Sequence, residues 1–170
     1  TGIVSEKIAA LTGCVPSSLA YTAGLIHDIG KVVLDQYVHS AYPMFYRELQ
    51  DGDGDLLAIE KSVFGINHAE VGGRLARDWA LPRALGDVIK HHHDPGSPGE
   101  ASMLISVICL ADLIMSRFNT GLEIERFDAS VLKACLDTVD LTSDQFVEIV
   151  DRLPLGVFSE SPETGMNATE

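Results

Sequence analysis

The sequence predicts an all-α protein. Apolar residues recur at helical spacing along nearly the whole chain, and no run alternates convincingly between apolar and polar residues as a half-buried strand does. Signals for helix ends recur as well: Gly13 and Gly65 follow apolar-periodic segments, whereas Pro16 and Pro82 stand where helices are expected to start. With 170 residues, 46% of them hydrophobic, the chain is long enough for one compact helical domain.

The predicted helices follow one another closely. Asn67 is a suitable N-cap, Gly30 is expected to bend the second helix, and the Pro- and Gly-rich residues 94–99 form a predicted loop. The domain is predicted to span residues 1–158, and residues 159–170 have too little to bury and are expected to be a disordered tail. The spacing predicts helices over residues 3–11, 16–28, 41–49, 55–64, 67–79, 82–93, 100–118, 128–139 and 143–153.

Composition excludes several functional classes. A net charge of −13 repels phosphate backbones and anionic lipids, so we expect neither a nucleic-acid partner nor a membrane surface. The longest apolar run, Met103 to Met115, contains Asp112 and is shorter than the roughly 18 residues that span a bilayer. The three cysteines lie in apolar stretches without a CxxC pair, which is typical of reduced core thiols in an intracellular protein.

Two of three adjacent histidines are predicted to face the core. On a helix over residues 82–93, His92 shares the apolar face and His93 follows Ile89 by one turn, whereas His91 lies on the solvated side. A single inward histidine is usually a core imidazole hydrogen-bonded to a carbonyl. Together with a third inward histidine, His68, the pair favours a binding site instead.

His68 is predicted to face inward from the next helix upstream. It is in helical register with Gly72, Leu75 and Trp79, which we expect on the buried face. Gly72 lies one turn away and leaves room for a neighbouring element.

Asp112 lies on the apolar face of the most hydrophobic helix. A buried carboxylate without a partner costs several kcal/mol, so Asp112 needs a metal, a hydrogen-bond network or a cationic side chain, for which Lys31 and Arg117 are the alternatives. His27 and Asp28 offer an imidazole and a carboxylate in succession at a helix end.

A mixed histidine and aspartate set without thiolates suits divalent manganese, iron, zinc or nickel, with one or two ions bound. Two ions about 3.5–4 Å apart would activate a water and hold a phosphoryl group, with Lys31 available as a phosphate contact. The natural reaction of such a site is phosphate-ester hydrolysis.

Specific motifs carry a family resemblance. The sequence AGLIHDIGK at residues 23–31 resembles the HD signature of metal-dependent phosphohydrolases. The sequences HAEVG at 68–72, WALP at 79–82, IKHHHDP at 89–95 and LAD at 110–112 are similar to the HDOD family in particular. The resemblance covers roughly residues 1–120. It implies an all-α, multi-helix HD-superfamily bundle, of which this chain is expected to be the later part, after an N-terminal portion that includes a further histidine.

The resemblance also implies a function. HDOD domains are bacterial, cytoplasmic regulatory modules found alone or fused to receiver, EAL or other signalling domains, so we expect a signalling protein or a fused receiver-type domain as partner, and a nucleotide as ligand. Hydrolysis of a nucleotide or other phosphate ester is the alternative, and a purely structural metal site is a third. If the domain is an enzyme, Lys31 and Asp28 are the expected catalytic residues. The metal ligands that the resemblance implies are His27, Asp28, His68, His92, His93 and Asp112.

Overall fold

A computed structural model describes residues 1–37, 41–51, 55–96, 99–118 and 129–153. Within these ranges every regular element is an α-helix, which confirms the predicted class. The helices are α1 (Gly2–Thr12), α2 (Ser17–Ile26), α3 (Ile29–Tyr37), α4 (Tyr42–Asp51), α5 (Leu56–Phe64), α6 (His68–Asp78), α7 (Arg83–His91), α8 (Ser102–Phe118), α9 (Ala129–Thr138) and α10 (Ser143–Asp151).

The predicted capping residues define several helix ends. Gly13 and Gly65 adopt left-handed backbone conformations, with φ of 66° and 76°, and end α1 and α5. The side chain of Asn67 accepts a hydrogen bond from the backbone of Glu70 at 2.8 Å, which starts α6 at His68. Local signals therefore place His68 at the first position of its helix.

The helix predicted over residues 16–28 forms but ends two residues early, at Ile26, and the predicted bend at Gly30 is wrong because a new helix runs through that residue. The chain leaves the helix at His27 and Asp28 and starts α3 at Ile29. Gly30 instead allows α3 to pack closely on α6, because a β-carbon there would lie 1.9 Å from the carbonyl oxygen of His68.

Two later helices end slightly earlier than predicted. Helix α7 ends at His91, two residues earlier than predicted, and α10 ends at Asp151. The predicted tail over residues 159–170 lies outside the described residues, so the 1–158 domain remains a prediction.

The core is built around α8. Ile108, Leu110 and Ala111 are fully buried there, and the helix packs against α1, α2, α7 and α9. Cys109 and Cys135 are buried, and no disulfide joins the three cysteines, as predicted. Helix α6 packs between α3 and α7. None of the helices in the described ranges combines the length and apolar character needed to cross a membrane.

Candidate metal centre

The structure brings all six predicted ligand residues together. They come from four separate parts of the chain: the α2–α3 turn, the start of α6, the end of α7 and the middle of α8. His68 and His92 are almost completely buried, and the centre reaches solvent through its carboxylates, of which Asp28 is 29% exposed and Asp112 is 22% exposed. The six residues are His27, Asp28, His68, His92, His93 and Asp112.

The ligand atoms form two overlapping groups. The first comprises Asp28 with His68, His92 and His93, and the second comprises Asp28 with His27 and Asp112. In each group the ligand atoms lie within 4.8 Å of one another. Because Asp28 belongs to both groups, its two carboxylate oxygens are placed to serve two adjacent ions.

Backbone carbonyls orient two of the imidazoles. His27 donates from Nδ1 to the carbonyl oxygen of Gly24 at 2.9 Å, and His92 donates from Nδ1 to that of Ile89 at 3.0 Å. Each ring therefore turns Nε2 toward the centre. This arrangement is usual for metal-binding histidines, since the contact at one nitrogen fixes which atom faces the metal.

A carboxylate orients the third imidazole. Glu60 on α5 is 5% exposed and accepts from both the Nδ1 and the backbone nitrogen of His68, at 2.7 and 2.8 Å. Glu60 was not among the predicted site residues. Its signal was a charged residue in helical register with Leu56 and Phe64 on the apolar face of α5.

The centre has more acceptors than donors. His68 Nε2 lies 3.0 Å from His93 Nε2, and both His68 and His92 place Nε2 3.4 Å from Asp28 Oδ1. That oxygen is buried and has no hydrogen-bond partner. Neutral imidazoles with Nδ1 protonated present lone pairs at Nε2, so lone pairs converge on a carboxylate oxygen. A cation between these atoms would relieve the repulsion, and the donor set therefore fits a divalent metal.

The carboxylates create a negative field on one side. Burial lowers the pKa of His27, but contacts with Asp112 and Asp28 outweigh it and raise that pKa to about 9. Burial would raise the pKa of Asp28, but the contact with His27 and the nearby Lys31 ammonium hold it well below its usual range. The pKa of Asp112 is also lowered, against the effect of burial, chiefly by His27. This side of the centre favours positive charge.

The imidazoles of His92 and His93 are held neutral. Burial, together with the neighbouring His92 and His68, lowers the pKa of His93 to about 2. Burial also lowers the pKa of His92, although Asp28 opposes it. Neutral imidazoles are the form that binds a metal without first losing a proton.

The structure shows which groups Asp112 and Lys31 contact. Asp112 contacts His27 Nε2 at 3.2 Å and the hydroxyl of Thr1 at 3.4 Å. Lys31 Nζ lies 3.2 Å from Asp28 Oδ2. Asp112 therefore uses the histidine network, and the side chain of Arg117, the other predicted partner, lies outside the described residues.

The predicted buried face of α6 is only partly correct. Gly72 was predicted to leave room for a neighbouring element, and it lies against Gly30 of α3. Trp79, however, is 60% exposed, and its predicted inward position is wrong because α6 ends at Asp78 and the chain turns away.

Comparison with known proteins now identifies the family. The sequence model of the HDOD domain matches residues 1–95, more than half of the chain. The chain belongs to the HDOD family. An HDOD domain protein of unknown function from Geobacter sulfurreducens has the same fold, with a TM-score of 0.72 and 22% identity, over 92% of this chain and 57% of that one. The HD-type bundle is thereby confirmed.

Two further structures share the fold. A Marinobacter aquaeolei protein named for signal transduction has a TM-score of 0.67 and 22% identity, over 88% of this chain and 35% of that one. A Shewanella amazonensis protein named as a phosphohydrolase has a TM-score of 0.66 and 23% identity, over 88% and 54%. At this identity the likeness to these structures shows the fold alone.

Curated relatives are much longer than this chain. An uncharacterized Treponema pallidum protein is 32% identical over 107 residues, which cover 60% of this chain and 20% of that protein. A Deinococcus radiodurans protein named Ribonuclease Y is 29% identical over 131 residues, which cover 77% of this chain and 17% of that protein. The chain thus spans about a fifth or less of the length of these two proteins.

Proposed function

We propose that this HDOD domain is a bacterial, cytoplasmic signalling module with a centre for one or two divalent ions of manganese, iron, zinc or nickel. The observation that carries the proposal is Asp28, which belongs to both ligand groups and whose Oδ1 is buried without a hydrogen-bond partner. The metal ligands would be His27, Asp28, His68, His92, His93 and Asp112.

Regulation would follow from the way the ligands are distributed. Because they lie on the α2–α3 turn, α6, α7 and α8, binding an ion ties four parts of the chain to one point. Occupancy, or a ligand held at the centre, would change how these elements pack. A partner protein or a fused receiver-type domain could then recognise the altered surface. The signalling name of the Marinobacter aquaeolei protein supports this reading.

Phosphate-ester hydrolysis is the second candidate. Lys31 lies beside Asp28 and is 24% exposed, so its ammonium could hold a phosphate oxygen at the edge of the centre. Bound ions would supply Lewis acidity and lower the pKa of a water at this position. The names of the Ribonuclease Y relative and the Shewanella amazonensis protein support this candidate. Given the net charge of −13, we favour a small nucleotide over RNA as substrate.

One experiment separates the two candidates. The chain is stripped of metal with a chelator and titrated with each of the four ions, and bound metal and melting temperature are recorded. Hydrolysis of AMP and of bis-p-nitrophenyl phosphate is then compared between the parent chain, Asp28→Ala and Asp87→Ala. Asp87 pairs with the exposed Arg83, away from the centre, and is the matched control.

The signalling proposal predicts that metal raises the melting temperature of the parent and of Asp87→Ala while hydrolysis stays at background. Metal-dependent turnover that survives Asp87→Ala and disappears in Asp28→Ala would contradict it in favour of the enzyme. Failure to bind any of the four ions would overturn both candidates.

A further inference from the structure

A cleft opens between α3, α4 and α5 beside the metal centre, with a volume of about 260 Å³. Two kinds of side chain in its wall matter for what it could bind: aromatic rings, and charged groups that also touch the metal centre. These are Tyr42, Phe45, Tyr46, Phe64, Lys31 and Glu60.

Aromatic rings form much of the wall. Tyr42, Phe45 and Tyr46 share one face of α4 by helical spacing, and Phe64 faces them from α5. The ring centroids of Phe45 and Phe64 are 5.3 Å apart, and those of Tyr42 and Tyr46 are 5.9 Å apart. Only 6% of the chain is aromatic, so this concentration is unusual. Tyr42 is 45% exposed. The wall therefore offers apolar, flat surfaces that a planar ring could stack on.

The cleft shares two residues with the surroundings of the metal centre. Lys31 lines the cleft and places Nζ 3.2 Å from Asp28 Oδ2. Glu60 lines it as well, and its Oε2 lies 2.7 Å from His68 Nδ1. A ligand in the cleft would thus reach the exposed edge of the centre, where Lys31 supplies positive charge.

We propose that the cleft binds the base of a nucleoside monophosphate, whose phosphate reaches Lys31 and the metal centre. A volume of about 260 Å³ is below the roughly 300–1,000 Å³ typical of sites for drug-sized ligands, which suits a base but not a helix or a folded segment. The aromatic wall matches the ring, and Lys31 matches the anion. This proposal makes a nucleoside monophosphate the ligand of the proposed signalling module. It rests on that proposed function, because the phosphate is expected to reach the metal centre.

Calorimetric titration of the whole chain tests this proposal. The probes are AMP and GMP, adenosine, which lacks the phosphate, and ribose 5-phosphate, which lacks the base. Each is titrated with Mn²⁺ present and after chelation. Phe45→Ala removes the ring, Phe45→Leu removes it while keeping the apolar volume, and Tyr21→Ala is a matched control on α2, outside the lining of the cleft. Circular dichroism verifies that each variant is folded.

We expect AMP or GMP to bind at least ten-fold more tightly than ribose 5-phosphate, because stacking on an aromatic side chain strengthens binding by about that factor. Phe45→Leu should remove this preference, and Tyr21→Ala should keep it. Equal binding of AMP, GMP and ribose 5-phosphate, or an unchanged preference in Phe45→Leu, would overturn the proposal.

Titration with Mn²⁺ alone keeps the two proposals separate. If the metal binds and the base makes no difference, the cleft proposal fails and the metal centre stands. If adenosine binds in a Phe45-dependent way but no metal binds, the cleft proposal is supported and the proposed metal centre fails.

Discussion

Replacing Gly30 with alanine should force α3 away from α6 and disrupt the metal centre. A β-carbon at Gly30 would lie 1.9 Å from the carbonyl oxygen of His68 and 2.9 Å from the backbone nitrogen of Gly72. Ordinary contact begins at 3.4 Å, so the helices would have to separate by the difference, about 1.5 Å. Both contacts involve backbone atoms, and no side-chain rotation can relieve them.

The expected cost follows from that displacement. Overpacking in a core typically costs about 1–3 kcal/mol, and we expect the upper end because backbone must move. For a chain of this size, about 3 kcal/mol lowers the melting temperature by roughly 6–12 °C. Asp28 lies two residues before Gly30 and contacts His68 across the same helix pair. Metal affinity should therefore fall at least ten-fold.

Gly86 provides the matched control. A β-carbon there would lie 3.6 Å from that of Ala76, an ordinary contact, and Gly86 is inside α7. Gly86→Ala should therefore stabilise the protein by about 0.5–1 kcal/mol, because alanine loses less backbone entropy on folding than glycine does. Urea unfolding of the metal-free protein and metal titration measure both variants. If Gly30→Ala matched Gly86→Ala in stability and metal affinity, the close α3–α6 contact would not be what positions the centre.

Four other predictions follow from the same contacts. Glu60→Gln should weaken metal binding about 10–100-fold by calorimetry, because the charged contact that orients His68 is lost; unchanged affinity would contradict this role. His92→Ala should lower the melting temperature with metal present by more than after chelation, since a ligand at 100 times its Kd adds about 2.7 kcal/mol; equal losses would argue against metal binding. Asn67→Ala should cost about 1 kcal/mol in urea unfolding through loss of the α6 cap, and no change would refute that contribution. Cyclic-di-GMP hydrolysis should not exceed that of Asp28→Ala. In the related HD-GYP phosphodiesterases the histidine pair is followed by a glutamate and a DGxGYP-like loop, whereas this chain continues with DPGSPG at residues 94–99. Clear turnover above the Asp28→Ala control would contradict this prediction.

The predictable parts of the fold and the site depend on local signals. Gly13, Gly65 and Asn67 mark helix ends through their own backbone or side-chain geometry, so the sequence alone placed these boundaries well. Helical periodicity predicted the inward positions of His68 and His92 correctly, because apolar residues one turn away mark the buried face of each helix.

The parts that could not be predicted depend on contacts between helices. The sequence predicted a helix end near Asp28 but not a separate helix from Ile29. The role of Gly30 becomes understandable only once α3 is seen packed on α6 through that residue. Glu60 lies eight residues before His68 on another helix, so its role needs the α5–α6 geometry. Helical register alone also could not show that the chain turns away at Trp79.

Anomalous X-ray scattering from crystals soaked in Mn²⁺ tests the metal centre most directly. We predict one or two peaks within the two ligand groups, in direct contact with the histidine and aspartate ligand atoms, with Asp28 contacting every ion present. Peaks only elsewhere on the molecule, or none at all with Asp112 still in contact with His27, would contradict the account.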